Sequence, residues 1–183
     1  MENETLKSIK NRRSTRHYKS EQIREDQLQD LLDSGIRAPS ADNSQPWHFT
    51  VIQDKNMINF ISDQSKKEML KSEDEKVIKF GKSLSHIFYY APTLIIISGK
   101  EDVVSCQIDC SAAVENMLIA AESIGLGTVW VGFAQFFFSL EDEVRKLELP
   151  KQYKPLFAVA VGYKQDGIIK PIKRNADVIN YIR

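Results

Sequence analysis

The chain is poor in the residues that decide several function classes. It has two cysteines and three histidines in 183 residues. Cys106 and Cys110 stand four residues apart, one helical turn, where a structural disulfide is not expected because the Cβ directions are unfavourable. Two thiols and three scattered histidines show no metal-ligand spacing, so metal chemistry is excluded and the cysteines read as small buried apolar residues. No apolar run approaches the ~20 residues needed to cross a bilayer. The first residues, Met-Glu-Asn-Glu, lack the cationic and apolar regions of a secretory signal. No membrane partner and a cytoplasmic location are the expectations. Lys+Arg and Asp+Glu are both 25, so formal net charge is zero. A neutral chain is a poor general binder of polyanions, which argues against a nucleic-acid partner. There are only eight glycines. Gly125 and Gly127 close a helical pattern and open a strand, the reverse of a Rossmann turn, so no dinucleotide domain is present and Gly125 reads as a helix cap. Ser-His-Asp order, HExxH and Walker patterns are missing too. An enzyme without its own acid–base apparatus needs a cofactor to carry the chemistry.

What is present is concentrated. Lys7, Lys10, Arg12, Arg13, Arg16 and Lys19 fall between Glu4 and Glu21 with no acid among them, and Ser14 lies inside the cluster. Guanidinium forks beside a hydroxyl suit one anionic group held by several donors, phosphate above all. On charge alone, a solvated basic arm or a nucleic-acid arm reads the same way. A second segment, Ala38-Pro39-Ser40-Ala41-Asp42-Asn43-Ser44-Gln45-Pro46-Trp47, is a polar loop. Its amides and hydroxyls match the mixed donors and acceptors of a heterocycle. A third runs Thr128-Val129-Trp130-Val131-Gly132-Phe133. Its glycine lets backbone approach a flat ligand, and Phe133, Phe136, Phe137 and Phe138 want a core, an interface or an aromatic pocket.

Periodicity gives an opening helix near Leu6 and Ile9, then helices over Glu25–Arg37, Asn56–Gln64, Lys66–Tyr90 with a break at Gly81, Asp102–Ile124 and Leu140–Leu147. Strands are expected at Trp47–Gln53, Thr93–Ser98, Thr128–Phe133 and Leu156–Val161. Residues 164–183 form a polar tail with no core of its own. The whole chain, 1–183, reads as one α+β domain.

In order and spacing, Arg12-Arg13-Ser14-Thr15-Arg16, the Pro39–Trp47 segment, Asp109–Ala113 with Gly125–Phe133, and Pro171-Ile172-Lys173-Arg174 resemble the nitroreductase family of flavoproteins. The resemblance implies a sandwich with a central, mostly antiparallel sheet flanked by helices, and a homodimer with exchanged termini. It implies one FMN per chain, with NADH or NADPH as co-substrate in a ping-pong cycle on a small-molecule electron acceptor. Carried over residue by residue, Arg12, Arg13, Ser14, Lys173 and Arg174 would hold the phosphate. Arg16 would face the N1/O2 edge of the ring. Pro39, Ser40, Asn43 and Gln45 would approach from the other subunit. Trp130 and Val131 would line the ring, with the Gly132 N–H at N5. The chain departs from the family at Asp42, where glycine is common, and lacks a second glycine before Phe133. The family also hosts enone reduction, dehalogenation and flavin breakdown, and a flavin carrier or sensor without turnover stays open.

Overall fold

The structure is a computed structural model that describes residues 3–165 and 172–183. Its centre is the strand Thr93–Lys100 (β2), whose run Leu94-Ile95-Ile96-Ile97 is fully buried. An alternating polar face is missing because both faces of this strand are covered. Successive side chains point to opposite sides, and each side meets its own core. Ile95 and Ile97 join one cluster and Leu94 and Ile96 the other. The sheet order is β1-β2-β4-β3 and every pairing is antiparallel, with β1 at Trp47–Ile52, β3 at Leu126–Trp130 and β4 at Tyr153–Tyr163.

Helices α1 (Glu4–Asn11), α2 (Glu25–Ile36) and α5 (Cys106–Ser123) lie on one face. Leu28, Leu31, Ala113, Val114, Met117 and Ala121 form the seam there. Gly35 sits against Met117 and Phe49, where a Cβ would come within 3.0 Å of the Phe49 ring, so the α2–α5 contact is close. Cys106 and Cys110 are unpaired and buried. Helices α3 (Lys55–Met69), α4 (Glu75–Ser83) and α6 (Gln135–Phe138) cover the other face. The short helix α7 (Glu141–Val144) continues into a 3-10 turn.

Several expected boundaries move. The strand expected over Thr128–Phe133 runs instead from Leu126 to Trp130, and Gly132–Ala134 is a 3-10 turn leading into α6. The four phenylalanines are helical. Phe137 is fully buried, and Phe133 and Phe137 meet Phe80 and Phe60 at ring distances of 5.3 and 6.2 Å. They are core, covered by α3 and α4 of the same chain. The helix expected over Lys66–Tyr90 is two: α3 extends to Met69 and α4 starts at Glu75, capped by Asp74, whose carboxylate accepts from the Lys76 N–H. Gly81 makes no break. It lies inside α4, where a Cβ would come within 3.1 Å of Met69. Asp102–Ser105 precede α5 as turns.

The free edge of β3 is covered by the chain's own start. Ser14 bridges Thr128 in parallel sense, and the Thr15 N–H donates to the Thr128 carbonyl at 2.9 Å. Tyr18 bridges Lys164, and its hydroxyl donates to the Thr15 and Ala160 carbonyls. Burial raises the Tyr18 pKa far above the usual phenol range. Gly127 permits this arm, because a Cβ there would stand 2.7 Å from Thr15. Gly127→Ala is expected to cost about 1–3 kcal/mol, the range for overpacking, and to loosen residues 12–16 selectively. Urea unfolding measures the first, and hydrogen exchange at the Thr15 amide the second.

Candidate functional site

The arm delivers its polar groups to one place along the β3 edge. Ser14 and Arg16 are exposed, and Arg12 and Arg13 are half-buried. Arg13 donates to the Lys10 and Arg12 carbonyls at 2.6 and 2.8 Å, which ties the arm to the end of α1. Its Nε is buried with no partner among the described residues. Arg12 Nε lies 3.7 Å from the half-exposed Glu115 carboxylate on α5. Such a pair contributes about 0–1 kcal/mol, less than the ~1.5–3 kcal/mol of a hydrogen bond to a charged group. An anion with good geometry therefore outcompetes Glu115 for Arg12.

Arg16 is held differently. Its Nε donates to the Tyr89 hydroxyl at 3.3 Å, its Nη1 reaches the Ser14 carbonyl at 3.4 Å, and its guanidinium carbon stands 5.8 Å from the Tyr89 ring centre. Tyr89 belongs to a turn that no periodicity announced. Tyr89 and Tyr90 both have positive φ, 56° and 57°. Bulky residues rarely adopt this conformation, and each such residue costs roughly 1–3 kcal/mol. His86 offsets part of the strain. It is almost fully buried, and its Nδ1 accepts from the Phe88 and Tyr90 N–H groups at 3.1 and 3.4 Å. Burial pulls its pKa down to about 4, with Asp63 opposing and Lys66 adding to the shift.

The Pro39–Trp47 loop packs at the start of α5. The Ala41 N–H points at both carboxylate oxygens of Asp109, 3.4 Å away, and Ser105 donates to Asp109 at 2.7 Å. Ser40 Oγ accepts from the Gln45 N–H at 3.1 Å. Pro39, Asn43 and Gln45 are exposed, and no hydrogen bond of the Asn43 or Gln45 side chain occurs among the described residues. Asp42, Asn43 and Gln45 have φ of 51°, 53° and 45°. The structure does not bring this loop to the arm within one chain. Asp109 and Glu115, which meet the two segments, are six residues apart. On a helix that is about 9 Å along the axis and roughly 120° around it.

Trp130 stacks edge-on against Phe157 at 4.7 Å, and Val131 is buried with its N–H given to the Ala158 carbonyl at 2.8 Å. Gly132 is exposed, and a Cβ built there meets nothing within 4 Å. It opens a helical turn, so its N–H has no partner within the helix. Lys173 and Arg174 are exposed in a segment without regular secondary structure, and Pro171 falls outside the described residues.

Residues 9–163 match the family described as the Nitroreductase family. The chain belongs to the nitroreductase family. An Archaeoglobus fulgidus protein provisionally named NADH dehydrogenase/NAD(P)H nitroreductase is 33% identical over 172 residues, 89% of this chain and 87% of that one. A Bacillus subtilis FMN reductase [NAD(P)H] is 29% identical across 98% of this chain and 73% of its own. A Bacteroides fragilis nitroreductase solved with bound FMN superposes with a TM-score of 0.91 at 30% identity, covering both chains completely.

Within this nitroreductase fold the two departures acquire a physical reading. Aspartate is among the few side chains that visit the left-handed region readily, and Asp42 occupies it, so the loop keeps the backbone that glycine would give. After Trp130 the single Gly132 suffices to leave that backbone uncovered. Tyr89 is the site residue that the sequence hid. A helical reading of Lys66–Tyr90 absorbed it, and only the adjacent Ala91-Pro92 hinted at a turn.

The His86 contribution gives a pH dependence. Its native pKa is depressed to about 4 from an ordinary 6.5, so between these values the unfolded chain binds more protons than the native one. Its stabilisation is present above pH 6.5 and is lost as pH falls toward 4. His86→Gln is expected to flatten the pH dependence of the urea midpoint across that window.

Proposed function

We propose that this nitroreductase-family chain is an FMN-dependent oxidoreductase that uses NADH or NADPH by a ping-pong mechanism to reduce nitroaromatics, quinones or similar small acceptors. The observation that carries the reading is the cationic arm pinned along β3 at Thr128, on the same strand that leads to the uncovered backbone at Gly132. FMN fits these residues. An anion would find Ser14 exposed, Arg12 held only by a weak pair, and the buried Arg13 Nε without a partner. A flat ring would find open space over Gly132.

When bound, FMN would supply the two-electron chemistry between NAD(P)H and the acceptor, with reduction adding negative charge at its N1/O2 edge. The chain's own residues bind and orient. Arg12, Arg13 and Ser14, with Lys173 and Arg174, would hold the phosphate by charge-assisted bonds. Arg16 would place a fixed positive charge at N1/O2, the kind of preorganised stabiliser that needs no rearrangement during reaction. The Gly132 N–H would donate to N5, since the Val131 N–H is already used within the sheet. No side chain of the site has to act as acid or base.

A homodimer supports the same site. Pro39, Ser40, Asn43 and Gln45 cannot be assigned to the arm of their own chain, and a second copy would supply them. Val178, Ile179, Tyr181 and Ile182 of the tail stand 65–95% exposed, as does Ile108 of α5 at 75%. So many large apolar side chains left uncovered support a surface that a partner covers.

Purified protein is expected to be yellow, to release FMN rather than FAD on heating, and to bleach within the enzyme's turnover time when NADH or NADPH is added anaerobically. Reoxidation by a panel of nitroarenes, quinones and enones then ranks the acceptors. Release of FAD, or bound flavin that stays oxidised with both nucleotides, would refute the assignment. Arg12→Ala is expected to weaken FMN binding at least about tenfold, or ~1.4 kcal/mol. Riboflavin, which lacks the phosphate, should lose much less on the same change. Fluorescence titration compares the two ligands, and equal losses would show that Arg12 does not read phosphate.

A further inference from the structure

The turn at residues 86–90 has more built into it than a connection between α4 and β2 requires. Two consecutive tyrosines hold positive φ, where glycine or asparagine is the ordinary choice. A buried histidine uses its one acceptor nitrogen to clamp two N–H groups of this turn. The product of that arrangement is the placement of one hydroxyl. Tyr89 is half-buried against the α3 and α6 side of the sheet, so its ring is fixed by packing, and its oxygen accepts from Arg16 Nε. Tyr90, by contrast, is 60% exposed.

We propose that Tyr89 is a positioning residue for Arg16, holding its guanidinium with its outer N–H groups directed away from the protein and toward the flavin's N1/O2 edge. This rests on the FMN reading given above. A guanidinium has five N–H donors. Two are taken, one by Tyr89 and one by the Ser14 carbonyl, and three remain. The contacts use Nε and Nη1, which leaves both N–H groups of Nη2 available, and the Tyr89 ring stands at cation–π distance. Arg16 is exposed and makes no ion pair among the described residues. Without Tyr89 its long side chain would sample many rotamers, and ordering it at the ring would weaken its effect. The tyrosine thus acts on the cofactor through the arginine.

The test is a dye-equilibrated redox titration of FMN-loaded protein, with the affinity for oxidised FMN measured separately by fluorescence. Tyr89→Phe removes the hydroxyl and keeps the ring. It should leave the affinity for oxidised FMN within about twofold. It should weaken the preference for two-electron-reduced over oxidised flavin about three- to tenfold, a fall of roughly 15–30 mV in midpoint potential. Tyr89→Gly, for which φ of 56° carries no penalty, gives the same reading should the first variant fold poorly. In an Arg16→Gln background the Tyr89→Phe change should have no further effect, because the two residues act as a unit. An unchanged potential in Tyr89→Phe, or an equal further fall in the Arg16→Gln background, would overturn the proposal. Tyr90→Gly is the control for the turn. It should leave the potential unchanged, and a fall equal to that of Tyr89→Phe would assign the effect to backbone strain instead. Wild-type protein that takes up no FMN would refute the functional reading and this proposal together. Yellow protein whose potential ignores Tyr89 would refute this proposal alone.

Discussion

The pairing of residues 14–18 with the outer sheet edge is the constraint on which the candidate site depends. A sheet edge presents unpaired backbone groups, and β3 is short and terminal in the order β1-β2-β4-β3. The chain covers that edge with its own basic arm. Two bridges, at Ser14–Thr128 and Tyr18–Lys164, fix both ends of the segment. Everything between them is registered against the sheet. Ser14 and Arg16 are therefore presented by a segment of fixed register, and Arg12 precedes it at the end of α1. The sequence cost is two small residues, Gly127 and Gly162, since a Cβ there would stand 2.7 Å from Thr15 and 2.9 Å from Tyr18.

The legible parts of the fold were those decided by local chemistry. β2 was readable because four consecutive apolar residues, Leu94–Ile97, rich in β-branched side chains and bounded by Thr93 and Ser98, fit a strand buried on both faces. The α2 helix, with Glu25 and Asp26 in its first turn, and the long α5 ending at Gly125, whose φ is 81°, followed from caps and period. The strand expected to reach Phe133 stops at Trp130, and the phenylalanines after it, expected in a core, an interface or an aromatic pocket, are helical core. The contacts that made them helical, with Phe60 and Phe80, come from residues more than fifty positions earlier. The α3–α4 break was misplaced for a similar reason. Gly81 weakens a helix in isolation, yet here the missing side chain is what lets α4 approach Met69 and Leu70. The site divided along the same line. Arg12, Ser14 and Arg16 were visible as types and spacing. The meeting of Arg16 with Tyr89, 73 residues away, was not.

Backbone strain is distributed unevenly, and its distribution tracks the candidate site. Among the described residues, positive φ at non-glycine positions occurs at Asp42, Asn43, Gln45, Tyr89, Tyr90, Glu148 and Gln152. Five of these seven lie in two loops, the Pro39–Trp47 segment and the turn after His86. Helices and strands of the core show none. Such conformations persist only when surrounding contacts over-determine them, and those contacts are present: Asp109 accepting from Ala41 in one loop, His86 accepting from Phe88 and Tyr90 in the other. Both supporting residues are buried polar groups, which a core built for stability alone would replace with apolar ones.

The same two groups explain how a chain with so little catalytic apparatus can still hold a defined chemistry. Asp109 and His86 touch neither the arm nor the uncovered Gly132. Each holds a strained loop, and each loop presents uncharged polar groups: the Asn43 and Gln45 amides from one, the Tyr89 hydroxyl from the other. The charges come separately, from the arm. Dividing the work this way leaves Arg16 without a carboxylate partner among the described residues. On the function proposed above, an ion pair in its place would make it a weaker stabiliser of developing negative charge. Zero net charge overall is compatible with an exposed guanidinium at this edge, because the acid that meets the arm, Glu115, pairs with Arg12 and not with Arg16.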